Sequence, residues 1–145
     1  MKSEKGQHRR VFFLIAAMIL GYASWILPAM FIPGNDRLKW PLSPSLMTDG
    51  PRSHFYMNVG LAIIGLVFGL LDPKRGALLG AATGLPIAIL SIVEALLGAA
   101  SHNLLGIEFF VYAIYTLPAI LGGLLGGLTR RIIQWYRNKR AIGGN

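Results

Sequence analysis

The stretch that decides the fold is FYMNVGLAIIGLVFGLLDPKRGALLGAATGLPIAILSIVEALL, residues 55–97. Two apolar runs flank a short charged step, Asp72-Pro73-Lys74-Arg75. A helix crossing ~30 Å of hydrocarbon needs ~20 mostly apolar residues. Nineteen uncharged residues separate Arg52 from Asp72, and eighteen separate Arg75 from Glu94. Proline has no N–H to give a helix and restricts the residue before it, so Asp-Pro ends the first run. Lys74 and Arg75 hold the step at a membrane surface. So short a connection makes the two runs antiparallel neighbours, a helical hairpin built for lipid.

Working outward, Val11–Ile32 supplies twenty-two residues without a charge, and Phe109–Thr129 supplies twenty-one. The sequence therefore predicts an all-α polytopic membrane protein: one domain, an antiparallel four-transmembrane-helix bundle. The spans fall at about 11–32, 55–71, 76–97 and 107–128, with an outer loop at 33–54 and a basic tail at 129–145. With 54% hydrophobic and 14% charged residues and a mean hydropathy of +0.55, little polar sequence remains to cover four such segments in water. Lys2, Lys5, Arg9 and Arg10 precede the first run as they would in a signal peptide. That run exceeds the ~7–15 residues of a removable apolar core, so an uncleaved first helix is expected.

Lysine and arginine concentrate in cytoplasmic segments. The amino-terminal segment holds four and the second connection two. The tail holds five: Arg130, Arg131, Arg137, Lys139 and Arg140. The first loop holds three (Arg37, Lys39, Arg52), giving eleven against three. Both termini are expected in the cytoplasm, in a cell membrane (plasma or inner). The net charge of +8 follows mostly from this topology. Its expected partner is a bilayer with anionic headgroups; no nucleic acid is expected, because the charges flank spans instead of forming a face with interleaved aromatics. The chain has no cysteine, which excludes disulfides, thiolate metal sites and cysteine nucleophiles.

The loop after the first span contains Pro33, Pro41, Pro44 and Pro51 and no regular pattern. It reads as a connector dipping into the headgroups, with a lid over the bundle as the alternative. Past the last span, Ile132, Ile133, Trp135 and Tyr136 suit a short interfacial helix continuing that span. Small residues recur every fourth position in three spans: Gly65 and Gly69; Gly76, Gly80 and Gly84; Gly122 and Gly126 beside Gly123 and Gly127. This spacing lets backbones approach closely where no hydrophobic drive exists between helices. Gly126 and Gly127 would serve equally in a contact between protomers, so a homo-oligomer or a larger membrane complex is an expected state.

Glu94 and Glu108 are the only acids within the spans. At 100° per residue each shares the small-residue face of its helix. An acid facing a bundle interior marks a functional site by default. Here, depth tempers that default. Glu94 lies about 27 Å along the axis from Gly76, and Glu108 about 31 Å from Thr129, at 1.5 Å per residue. Both reach the outer edge of the hydrocarbon. One arrangement is an outward-facing polar pocket of His54, Asn58, Ser91, Glu94, Glu108, Tyr112 and Tyr115 that binds a cation or proton, or a small cationic substrate. The other is a pair of interfacial acids hydrogen-bonded to Tyr, Ser or His. No compact metal-ligand spacing, nucleophile setting, phosphate loop or dinucleotide fingerprint occurs, and no cofactor is expected. The expected function is non-enzymatic: a transport component or a small subunit of a membrane complex. A structural or assembly protein acting through helix–helix contacts is the alternative, and an intramembrane enzyme comes last.

Overall fold

The computed structural model describes residues 2–31, 51–96 and 105–142. The expected outer loop (through residue 50) and the turn before the last span lie outside the described residues. Five helices follow in order: α1 (Lys2–Phe31), α2 (Pro51–Leu71), α3 (Gly76–Ala82), α4 (Leu85–Leu96) and α5 (Leu105–Ile142). Three contain segments long and apolar enough to cross a membrane: Gly6–Pro28, His54–Leu71 and Phe110–Arg140. A shorter apolar segment covers Gly76–Leu90.

Two helices run well past the apolar runs that define them. The thirty residues of α1 span about 45 Å and the thirty-eight of α5 about 57 Å at 1.5 Å each. The basic segment before residue 11 and the tail after residue 129 are thus continuations of helices. Lys, Arg, Glu and Gln are good helix formers, so neither segment has a reason to unwind at a membrane surface.

The third stretch, read as one span over 76–97, is divided. Thr83 and Gly84 turn their N–H groups to carbonyls three residues back, Gly80 (3.2 Å) and Ala81 (3.2 Å). The Thr83 hydroxyl donates to Gly80 O at 2.6 Å. Regular helix resumes from Gly84, whose carbonyl accepts from Ala88 N–H at 3.2 Å. Pro86 contributes, having no N–H to offer Ala82 O, and it acts together with the Thr83 hydroxyl that takes up Gly80 O and with the flexible Gly84.

The glycine faces meet one another inside the chain. A methyl group at Gly65 would overlap the Ala119 carbonyl, and one at Gly69 the Gly123 carbonyl. The contacts advance together along α2 and α5, so these helices run parallel. Gly76 faces Gly123, Gly80 faces Ala119 and Gly84 faces Thr116, so α3 runs antiparallel to α5. A Cβ on Gly76 would also lie 2.6 Å from Gly69 Cα; glycines from three helices converge there. On the adjacent row of α5, Gly122 abuts Ala62 and Gly126 abuts Leu66, also on α2. The expected packing glycines therefore join α2, α3 and α5 of one chain. Gly21 is an addition: its α1 backbone abuts the Thr83 backbone at the break.

Two apolar clusters fill the interior. Ala17, Phe68, Leu79 and Ala82 lie toward the end bearing the Asp72–Arg75 turn. Trp25, Met57, Leu61, Ile87, Tyr112 and Ala119 lie toward the far end. The exterior is as apolar as the interior: Phe12, Ile19, Ile63, Leu78, Leu121 and Leu125 are all more than half exposed. Such a continuous apolar surface belongs against lipid or another apolar helix.

Candidate functional site

At the far end, three helices bring aromatic and polar side chains together. Ala17, Gly21 and Trp25 follow at four-residue spacing on α1, and all three are buried. The small residues let α1 approach closely, which carries the Trp25 indole into the interior (1% exposed). His54 and Asn58 stand one turn apart on α2, and Tyr112 and Tyr115 on one side of α5.

The rings interlock. Trp25 meets Tyr112 edge to face at 5.8 Å and Tyr115 at 5.6 Å between centroids. His54 lies against Tyr115 at 5.4 Å. Tyr115 therefore joins α1 and α2 through its two ring neighbours, and Tyr22 packs on the same cluster. Offset and edge-to-face aromatic pairs contribute ~0.5–1.5 kcal/mol each beyond area burial, so this constellation is a firm wall.

Its polar edge is unfinished. Trp25 Nε1, His54 Nε2 and Asn58 Oδ1 have no exposed surface and no hydrogen-bond partner among the described residues. A buried polar atom left unpaired costs ~1–3 kcal/mol. Two hydroxyls nearby bond within their own helices. Thr116 donates to Ala113 O at 2.7 Å, and Ser24 to Leu20 O at 3.1 Å. The indole N–H offers a donor, the amide oxygen an acceptor, and the imidazole nitrogen either, according to tautomer. A small polar guest or an ordered water would satisfy them.

Of the seven pocket residues expected from sequence, His54 and Tyr115 are in ring contact, and Tyr112 shares the Trp25 neighbour with Tyr115. Asn58 adds an unpartnered oxygen one turn along α2. Ser91, Glu94 and Glu108 occupy helical backbone in α4 and α5, and their side chains lie outside what the structure describes. Trp25 is the member that sequence reasoning omitted. The Ala17–Gly21–Trp25 spacing was its signal. Among the described residues, no three His, Cys, Asp or Glu side chains are grouped to hold a metal ion.

At the opposite end, Arg130 closes α2. Its guanidinium donates to Leu70 O and, at 3.0 Å, to Leu71 O. These are terminal carbonyls with no further helical N–H to receive, and they carry the negative end of the helix dipole.

The class these features define is an all-helical protein of membrane type: three long apolar helices, a shorter broken one and an apolar exterior. Comparison with protein-family models, curated proteins and solved structures finds no match.

Proposed function

We propose that this protein is a non-enzymatic integral membrane protein of the cell membrane, acting as a transport component or as a small subunit of a membrane complex. In this proposal the bundle crosses the bilayer four times with both termini cytoplasmic, α3 and α4 together forming the third crossing. The observation that carries it is the set of unpartnered polar atoms on Trp25 and His54, both in ring contact with Tyr115, and on Asn58 one turn from His54. Unpaired polar groups in an apolar bundle are costly, and their retention points to a guest. A second support is the break at Thr83–Pro86. Discontinuous helices are the recurring means by which transporters expose backbone groups at a binding site.

The guest we propose is a small organic cation. Aromatic faces attract cations, and Asn58 Oδ1 accepts from an ammonium N–H; Glu94 and Glu108 enter only as the sequence-based expectation of opposite charge near this end. The reading as an assembly protein has less to stand on. The glycine faces are engaged within the chain, which leaves a second protein only the apolar exterior or the basic end of α5.

Methylammonium and tetramethylammonium, titrated against protein in phosphatidylcholine vesicles, test this. Trp25 fluorescence is read in a Trp40→Phe, Trp135→Phe background. A saturable change is expected with both cations; for methylammonium it is weakened on the order of tenfold by Asn58→Leu, the loss of one charge-assisted hydrogen bond, whereas tetramethylammonium, which has no N–H, is held by the aromatic faces and is little affected. Flux of the labelled cation into the vesicles would mark a transporter, and binding without flux a subunit. Neither binding nor flux would defeat the proposal.

A further inference from the structure

At the end bearing the Asp72–Arg75 turn, α1 stands away from the turn and from α3. The gap is a cleft of about 170 Å³. Arg10 enters it from α1, and Arg75 and Asp72 from the turn. The remaining lining is apolar and includes Val11, Leu14 and Leu78, which are also open to the exterior of the bundle (49%, 38% and 65% exposed). Of the neighbouring cations, Lys74 points to the exterior of the turn and two others have partners. Arg9 lies over the Phe13 ring at 5.2 Å, and Arg130 caps α2. Two guanidinium groups and one carboxylate thus stand at the head of an apolar groove open to the exterior of the bundle, with a net charge of +1.

We propose that this cleft is a binding site for a single anionic phospholipid. The phosphodiester lies between Arg10 and Arg75, and one acyl chain runs down the groove along Val11, Leu14 and Leu78. Basic pockets between helices on the cytoplasmic side favour anionic headgroups, and guanidinium groups match phosphate oxygens in pairs. Asp72 sharpens the preference: its negative charge opposes a doubly charged phosphomonoester and leaves room for a singly charged phosphodiester such as that of phosphatidylglycerol. This site is separate from the aromatic cluster and stands whether or not that cluster binds a cation.

Native mass spectrometry of protein extracted from vesicles of equal parts phosphatidylglycerol, phosphatidylethanolamine and phosphatidylcholine tests the assignment. One retained phosphatidylglycerol is expected. Arg10→Gln and Arg75→Gln should each lower its retention about fivefold, the usual contribution of one basic side chain at an anionic surface. Arg137→Gln, on the exposed end of α5, should leave retention unchanged. Leu78→Trp, which fills the groove without altering charge, should displace the lipid even if the arginine variants fold poorly. Equal retention of the three lipids, wild-type retention in the Arg10→Gln and Leu78→Trp variants, or displacement by millimolar inorganic phosphate would each overturn the assignment.

Discussion

Asn58 shows the conflict between stability and function most directly. Its side-chain oxygen is buried without a partner, so replacement by an apolar residue of similar size removes a cost and breaks no hydrogen bond. Asn58→Leu is expected to raise the unfolding free energy by roughly 1–3 kcal/mol, the penalty of one unsatisfied buried polar group. A thermal or chemical denaturation series in detergent reads this directly; a destabilised Asn58→Leu protein would mean that the oxygen already has a partner. Arg130 behaves in the opposite sense. Arg130→Gln strips two terminal carbonyls of α2 of a charged donor, and a loss of about 1 kcal/mol is expected for this partly exposed contact. His54, Asn58 and Tyr115 were legible in the sequence because polar side chains at one end of an apolar run have few reasons to be there. Trp25 was not, because tryptophan has two respectable places in a membrane protein, the headgroup layer and the interior. Only the approach of α1 at Gly21 selects the second.

Among the elements, the packing of α2, α3 and α5 rests on backbone touching backbone. Lipid tails are as apolar as the bundle interior, so close contact and dispersion must supply what the hydrophobic effect supplies in water. Gly80→Ile would drive a side chain into the Ala119 backbone, 2.7 Å from its carbonyl carbon at Cβ alone. The expected loss exceeds the ~1–3 kcal/mol of ordinary overpacking, because backbone cannot swing aside as a side chain does. Gly6→Ala, with nothing within 4 Å, should be neutral or slightly stabilising, since alanine favours helix. Folding yield and melting temperature of the pair check this contrast. The glycine faces could be read from spacing alone, whereas their partners could not. Residues 84–90 and 116–122 are alike, Gly-Leu-Pro-Ile-Ala-Ile-Leu and Thr-Leu-Pro-Ala-Ile-Leu-Gly, and in the fold Gly84 of one sits against Thr116 of the other. The break in the third span was marked by Pro86, although proline also occurs within α1 and α5 at Pro28 and Pro118 without dividing those helices. Pro86→Ala would restore a donor to Ala82 O. Slower amide hydrogen exchange over residues 83–88 is the expected result, with a weaker response to the cation at the far end.

For the whole molecule, the charge asymmetry predicts a definite placement. Reporter fusions at residues 1 and 145 should both report the cytoplasm; an external carboxy terminus would contradict four crossings. The apolar exterior requires either lipid or other helices around it, and mass in mild detergent separates a lone bundle from an oligomer.

The sequence by itself determined the helical class, the presence of helices long and apolar enough to cross a membrane, and the residues able to pack closely, because these follow from local quantities: length of apolar run and four-residue spacing. It did not determine which small faces meet, where α1 lies, or which polar atoms are left without partners. Those depend on contacts between residues far apart in the chain. The glycines of α2, α3 and α5 consumed one another's surfaces, and Gly21 drew α1 onto the break at Thr83. Trp25 was thereby set beside Tyr112 and Tyr115, where the interior holds polar atoms that its own side chains do not satisfy.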